Sequence, residues 1–412
     1  MRQIVFASPH CLIDPSSGAA AATWQMLELL SGCGFSCQAF AAVRMDFGEE
    51  VCVEQVLAEL RLPYEARSVR VGGHPARLLF TRKGHVPVTL FRNRFSRCGP
   101  TAEEIPAYAA AWEQFLRRNR PDVVVTYGGD RLAMLTLELA KGRDIPVVFA
   151  LKNFAYTTPA TFLRVDYVFV PSEYARRHYR ERLGLACHVL PNVIDPGRVC
   201  ALWRRPRYLT FVNPQPAKGL FVFARIAAEL ARCRPDIPIL VVEGRARGRA
   251  LESTGVDLSG AKNLFGMANT ADPRQFYGAS KVLVMPSLWN ESFGLVAAEA
   301  MLNGIPVVVS NRGALPEVVG QGGVVLDIPA CYTPETREVP SAEEVRPWVE
   351  AIVRLWDDGE FYARQSAAAR AWSARWRPEV LRPVYESFFG KVHLQPGPAF
   401  VAGMPGGSAS GG

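Results

Sequence analysis

Residues 282–310 read VLVMPSLWNESFGLVAAEAMLNGIPVVVS, and this stretch decides the fold. A β-branched run, Val282–Met285, meets Pro286 and a polar turn carrying Glu291. From Phe293 to Leu302 the chain turns Ala- and Leu-rich, which reads as a helix. Gly304-Ile-Pro306 then stops it, and a second β-branched run, Val307–Ser310, follows. Strand, helix, strand in 29 residues is the unit of a parallel sheet covered by helices.

The same rhythm extends outward in both directions. Further strands are expected at Tyr208–Val212, Ile239–Glu243, Asn263–Phe265 and Val324–Leu326, with helices at Leu220–Arg232, Pro273–Ala279 and Ala314–Val319. Upstream, strands are expected at Gln3–Ala7, Cys37–Ala41, Val123–Thr126, Val147–Ala150, Tyr167–Val170 and Val189–Leu190. Helices fit Ala19–Leu30, Glu103–Arg118, Arg131–Lys141 and Glu173–Leu183. Arg61–Arg97, broken by Gly and Pro and rich in Arg, reads as an inserted strand-and-loop region. Helical patterns at Ala342–Trp356, Glu360–Trp376 and Glu379–Phe389 close the chain. The fold class is therefore α/β: two doubly wound Rossmann-like domains joined by the Pro-rich stretch 192–206. The expected division is 1–195, 196–376, a helix over 377–394 that crosses back to the first domain, and a disordered Gly/Ser tail at 395–412.

Composition bounds the function. A 412-residue chain with 49% hydrophobic and 21% charged residues has ample core, which excludes disorder over most of its length. The net charge of +8 is too mild and dispersed to ask for nucleic acid. Residues 1–200 hold 24 Lys and Arg against 19 Asp and Glu, so the basic excess leans to the first half. Nine cysteines fit no zinc or disulfide spacing and are expected as buried free thiols of a reducing cytosol. The opening MRQIVFASPH reads as a strand, not a signal peptide, and no apolar run is long enough for a membrane span. The expected location is cytoplasmic.

Chemistry concentrates behind three strands. Glu291 and Glu299 stand one in a loop and one two turns into the following helix, both expected at the strand's C-terminal edge. The amides of Phe293, Gly294 and Leu295 open that helix, where the dipole favours an anion. Carboxylates that accept from hydroxyls beside amides that donate to phosphate suit a sugar nucleotide. After Tyr208–Val212 comes NPQPAKG, with Asn213, Lys218 and Gly219. A lysine at a helix start is unfavourable unless an anion joins it.

Glu-x7-Glu with Phe293-Gly294 after the first Glu and Gly304-Ile-Pro306 after the second resembles the large family of retaining GT-B glycosyltransferases, the bacterial polysaccharide-type family 4 enzymes. The resemblance implies two domains facing across a cleft and transfer of a hexose from a nucleotide-diphosphate sugar with retention. It gives Glu291 the donor sugar and Glu299 the ribose hydroxyls, with Ser292, Phe293, Gly294 and Leu295 beside the donor. Lys218 becomes the diphosphate ligand, flanked by Gly219 and by Asn213 where the family usually has Arg. Phe265-Gly266-Met267-Ala268 matches the loop that holds the nucleobase, and Asn311-Arg-Gly313-Ala-Leu-Pro-Glu317 the family's Gly-x-x-Glu turn.

In the first half, Pro15-Ser-Ser-Gly18-Ala19 replaces the family's double-Gly loop, with Ser16 or Ser17 equally able to serve as a plain helix cap. Lys152-Asn153 stands where the family often has a His that helps hold the donor sugar; Asn153 is the position carried over. His10 follows the first strand, and a loop histidine there is as readily structural. No Asp-x-Asp motif stands in a loop, so no metal and no resident cofactor are expected; the UDP-, GDP- or ADP-sugar is a substrate. The acceptor is expected to be a glycan or lipid-linked hydroxyl. Phe91, Arg92, Arg94, Phe95 and Arg97 suggest a peripheral contact with the inner membrane face. An inactive partner subunit of the same fold and a nucleotide-sugar epimerase are the alternatives. A nicotinamide oxidoreductase is excluded, because Gly-x-Gly-x-x-Gly follows neither first strand.

Overall fold

A computed structural model describes residues 2–47, 49–244, 248–392 and 399–400. The chain divides into two compact units, one of Met1–Val193 with Leu381 onward, the other of Ile194–Val380.

Unit 1 is built on a nine-stranded sheet. Its parallel part uses β1 (Gln3–His10), β2 (Ser36–Arg44), β6 (Val123–Thr126), β7 (Val147–Ala150), β8 (Tyr167–Val170) and β9 (Cys187–Val189). The helices between are α1 (Gly18–Gly32), α3 (Ile105–Asn119), α4 (Arg131–Lys141) and α5 (Glu173–Leu183), with a short α2 (Val53–Glu59) after β2. The strand order is β3-β4-β5-β2-β1-β6-β7-β8-β9, where β3 (Tyr64–Val71), β4 (His74–Lys83) and β5 (Val86–Phe91) come from the supposed insertion. That region is no insertion. β5 pairs in parallel with β2, Ala39 opposite Val88, and β4 and β3 add antiparallel strands outside it. The reason is burial: β5 has Val86, Val88, Leu90 and Phe91 buried, and they continue the core surface of β2.

Ser17 is the cap of α1 and accepts from Ala20 N–H. The side chain of Ser16 turns back to Asp14 instead. At the far edge, Ala186 N–H donates to Ala399 O at 2.8 Å and Leu185 bridges Phe400. Ala399 and Phe400 are buried, so these two residues of the expected loose tail pack as core; the rest of 395–412 lies outside the described residues. All nine cysteines are free, but only Cys11 and Cys37 are buried, and Cys98, Cys233 and Cys331 are exposed. The latter three stand near helix ends and loops rather than under the sheets, which corrects the expectation of buried thiols.

Unit 2 opens with α6 (Pro196–Val199) and holds a six-stranded, all-parallel sheet. Its strands are β10 (Tyr208–Val212), β11 (Ile239–Val242), β12 (Leu264–Met267), β13 (Ser280–Met285), β14 (Val307–Ser310) and β15 (Val324–Leu326). Helices α7 (Leu220–Cys233), α8 (Arg274–Ala279), α9 (Leu295–Leu302) and α10 (Leu315–Val319) connect them. The order β12-β11-β10-β13-β14-β15 reverses direction between β10 and β13. Ligands of such sheets sit outside the strand C-termini at that reversal.

Core packing follows from the apolar faces. Phe223 of α7 stacks on Phe211 of β10 with centroids 4.1 Å apart, a contact worth about 1 kcal/mol beyond its area. Next, α11 (Ala342–Asp357), started by a Ser341–Glu344 capping box, lays Trp348, Ile352 and Leu355 against α7. Trp348→Ala would cost about 3–5 kcal/mol there. Helix α12 (Gly359–Ser373) follows, and α13 (Pro378–Lys391) passes at Leu381 into unit 1. Within unit 1, Tyr385 O–H donates to Pro191 O and Arg2 to Phe389 O and Gly390 O. No helix among the described residues is long and apolar enough to cross a membrane.

Candidate functional site

Three loops converge at the C-terminal ends of β10, β13 and β14. The first, Asn213–Gly219, leaves β10 with Asn213 at φ 62°. It tightens through Gln215 N–H to Asn213 O and Lys218 N–H to Gln215 O. Gly219 lies at φ 83° against the second loop, where an added Cβ would overlap the carbonyl of Pro286. Leu288 and Trp289 N–H groups both donate to Ala217 O, at 3.0 and 2.8 Å, which ties the β10 and β13 loops together. The β14 loop closes from the other side: Ala314 N–H donates to Glu291 O at 2.7 Å. Gly313 sits at φ 62°, where a Cβ would strike the backbone of Glu291.

This clamp holds Glu291 buried, its Oε1 2.5 Å from Lys218 Nζ and accepting from Ser287 Oγ at 3.0 Å. Ser287 itself is wholly buried. Beside the pair, α9 begins without a side-chain cap, behind Gly294 at φ 89°. Among the described residues the amides of Phe293, Gly294 and Leu295 donate to no acceptor. One ammonium, one carboxylate and a set of open N–H groups thus share a rim. Such a set can bind an anionic group at the cation and amides while the carboxylate accepts from a hydroxyl.

Other expected residues stand elsewhere. Glu299 lies one turn into α9 and accepts from Tyr277 O–H of α8 at 2.8 Å, sharing no partner with Lys218 or Glu291 among the described residues. Burial pushes its carboxyl up from 4.5 to about 7, with the Tyr277 hydrogen bond pulling the other way. The Tyr277 phenol is raised well above its ordinary value, first by burial and then by Glu299. Gly266 and Met267 are not in a loop. They complete edge strand β12, Gly266 opposite Val241, and Met267 O accepts from Glu243 N–H. Main-chain pairing with β11 carries the strand two residues beyond the expected end at Phe265. The Phe293 ring is core, edge-on to Trp376 at 5.3 Å, so only its backbone faces the rim. Ser292 is half-buried in the same turn, and Glu317 is exposed on α10.

Gly18 and Asn153 belong to unit 1. Gly18 is exposed at the start of α1. Asn153 is exposed, its Oδ1 accepting from Ala155 N–H and its carbonyl from Tyr179 O–H at 2.6 Å. Its neighbour Lys152 reaches Asn192 Oδ1 at 3.1 Å and lies 5.0 Å over the Phe169 ring, and burial pushes its ammonium down to about 7. The reversal point of unit 1 carries a cluster of which the sequence pointed only to Ser16 and His10. Arg44 pairs with Asp130 at 2.5 Å, and Asp14 accepts from Asp46 N–H and Ser16 N–H. His10 lies against Tyr127, ring centroids 5.7 Å apart. Only the strand order, with β1 between β2 and β6, brings these residues to one edge. Tyr277 was missed because α8 meets α9 only in the fold, whereas Ser287 stands four residues before Glu291 and that spacing could have found it.

The comparisons with known proteins agree with this geometry. The family model for glycosyl transferases group 1 matches residues 205–372, and that for glycosyltransferase family 4 matches residues 63–198. A phosphatidyl-myo-inositol mannosyltransferase of Mycolicibacterium smegmatis is 31% identical over 159 residues, covering 37% of this chain and 41% of its own. A D-inositol 3-phosphate glycosyltransferase of Corynebacterium diphtheriae is 28% identical over 214 residues, 49% of this chain and 47% of its own. The chain thus spans less than half the length of these curated relatives. Among solved structures, sucrose-phosphate synthase from Thermosynechococcus elongatus superposes with TM-score 0.68 at 14% identity, over 96% of this chain and 100% of its own. Anabaena HepE in complex with UDP and glucose gives 0.66 at 16%, over 95% and 100%. With two parallel α/β units, strands ordered around a reversal point and both family models matched in succession, the chain belongs to the family 4 GT-B glycosyltransferases.

Proposed function

We propose that the protein transfers a hexosyl group from a nucleotide-diphosphate sugar to an acceptor hydroxyl, with retention of anomeric configuration, in polysaccharide or glycolipid synthesis. The observation that carries this reading is the meeting of Lys218 and Glu291 beside the open amides of Phe293, Gly294 and Leu295. Breaking the anomeric C–O bond places positive charge on the sugar and negative charge on the departing diphosphate. Lys218 and the amides stabilise the second charge as it grows. Glu291 accepts from sugar hydroxyls and orients the ring, and Glu299, with Tyr277, receives the ribose. A new C–O bond forms to the acceptor oxygen on the same face, and the departing phosphate oxygen takes the acceptor proton, so no side-chain base is needed. Asn213, Gly219, Ser292, Gly266 and Met267 line the donor.

No resident cofactor or metal enters this reading. The solved neighbour with UDP and glucose, and a starch synthase IV from Arabidopsis thaliana solved with ADP and acarbose, support a nucleotide-sugar donor of the UDP or ADP kind, with a GDP-sugar as the third candidate. The two inositol-directed relatives support a polyol or lipid-linked acceptor.

Isothermal titration with UDP, GDP and ADP tests the reading, together with donor hydrolysis in the absence of acceptor. One nucleotide should bind at micromolar to millimolar concentration and its sugar conjugate should be hydrolysed slowly. Absence of binding by all three would end the proposal. Binding without hydrolysis or transfer would leave a nucleotide-binding partner subunit in its place.

A further inference from the structure

The linker from α6 to β10 within unit 2 reads Cys200-Ala-Leu-Trp-Arg-Arg-Pro-Arg207. Leu202 and Trp203 are 88% and 89% exposed, more than any other large apolar side chain among the described residues. One exposed apolar residue means little. Here two adjacent ones sit on a backbone that is held firmly. Arg205 and Arg207 N–H groups donate to Gly278 O and Ala279 O, both at 2.8 Å, and Ala201 N–H donates to Asn303 Oδ1 at 2.9 Å. The Arg204 guanidinium donates to Asn303 O at 2.7 Å and Ser280 O at 2.8 Å. A pinned loop cannot fold its tip back onto the protein, so both side chains stay in water.

Within the loop the charge is of one sign only. Arg205 and Arg207 are exposed, neither forms an ion pair among the described residues, and no acidic residue lies between Cys200 and Tyr208. Arg207 lies 5.4 Å over the ring of Tyr208, which meets Phe265 edge-on at 5.6 Å, and Phe265 is 40% exposed. An apolar Leu-Trp tip, cations beside it and aromatic rings behind them match the chemistry of a bilayer interface. Trp favours the headgroup level, aliphatic side chains the layer beneath, and guanidinium the lipid phosphate. The stretch around Arg92 fits this less well. Phe91 is buried, Arg92 is paired with Glu54 at 3.3 Å, and Arg97 N–H donates to Glu50.

We propose that Leu202–Arg207 is an interfacial loop that docks on an anionic lipid bilayer, Leu202 and Trp203 entering the headgroup boundary and Arg205 and Arg207 meeting phosphates. The inference does not rest on the donor chemistry, which acceptor-free hydrolysis reads without lipid.

The test is sedimentation of the full chain with vesicles of equal parts phosphatidylglycerol and phosphatidylcholine, against vesicles of phosphatidylcholine alone. Wild type should sediment with the anionic vesicles, less so at high salt. Leu202→Ser with Trp203→Ser should lower the partition coefficient about tenfold or more, because two apolar side chains no longer leave water. Arg205→Glu with Arg207→Glu should lower it similarly and remove the salt dependence; this second pair serves if the first folds poorly. Wild type remaining in solution, or both variants sedimenting within about twofold of it, overturns the proposal. A wild-type dimer in light scattering that the Ser variant turns into monomer, without vesicle binding, overturns it in favour of a second copy.

Discussion

Replacing Glu299 by Gln should stabilise the protein above neutral pH. In the folded chain this carboxyl is buried, accepts a single hydrogen bond from Tyr277 O–H at 2.8 Å, and is displaced from 4.5 to about 7. The folded state therefore holds its proton more tightly than the unfolded chain does. Between pH 4.5 and 7 the unfolded chain releases a proton that the folded one keeps, so stability falls as pH rises through that window and stays low above it. The displacement corresponds to about 3 kcal/mol, an upper bound because the residue is only half-buried. Gln keeps the shape and an oxygen for Tyr277 while removing the charge. Its unfolding temperature should match wild type near pH 5 and exceed it at pH 8 by on the order of 5 °C. Differential scanning calorimetry from pH 5 to 8 can follow the transition of unit 2. If the Gln variant falls with pH as steeply as wild type, or melts lower at pH 8, burial of this carboxylate does not carry the cost assigned to it.

Lys218 and Glu291 should prove coupled. The Glu291 side chain is 10% exposed, and Lys218→Met leaves its carboxylate with Ser287 alone among the described residues, at a cost of about 2 kcal/mol. Adding Glu291→Gln should recover part of that loss in urea unfolding, and additive costs would refute the pairing. Each single variant should still lose about 100-fold or more of any transfer rate, and the double variant should recover none of it. Lys152→Met tests unit 1. Burial moves this ammonium from 10.5 down to about 7, so the folded state binds its proton less tightly and stability rises with pH between those values. The Met variant should flatten that rise in denaturation from pH 7 to 10; parallel curves would show that Lys152 is not held in an apolar site.

Several strands were legible because their signal is local. Val123–Thr126, Val147–Ala150, Tyr167–Val170, Tyr208–Val212, Val307–Ser310 and Val324–Leu326 run between the residues at which the β-branched composition begins and ends. Four of them are central strands with almost nothing exposed, where composition and burial coincide. The stretch 61–97 resisted because its evidence is not local. Its outer strand β3 is exposed along seven of its eight residues or nearly so and reads as polar, while β5 becomes a core strand only by pairing with β2. The surroundings of the Arg92 patch were hidden for a related reason. Sequence shows basic and aromatic residues with no acid among them, but Glu50, Glu54 and Glu104 come from other elements and accept from Ser96, Arg92 and Arg94.

The candidate site divides along the same line. That Lys218 and Glu291 would both lie at strand C-termini follows from reading β10 and β13 as parallel strands. That they touch follows from the order of the sheet, in which the first and fourth strands of unit 2 are neighbours and the chain turns away on both sides. Exchanging either for another position in the order would separate the ammonium from the carboxylate with every motif residue intact. The glycines record the consequence. Gly219 is open to the carbonyl of Pro286 and Gly313 to the backbone of Glu291, each from a loop distant in sequence. Neither approach admits a Cβ, so each loop is held by its neighbour before any ligand arrives. A rim fixed in this way meets developing charge without reorganising. The spacing between Lys218 and Glu291 in sequence is therefore free to vary, while the glycine behind each of them is not.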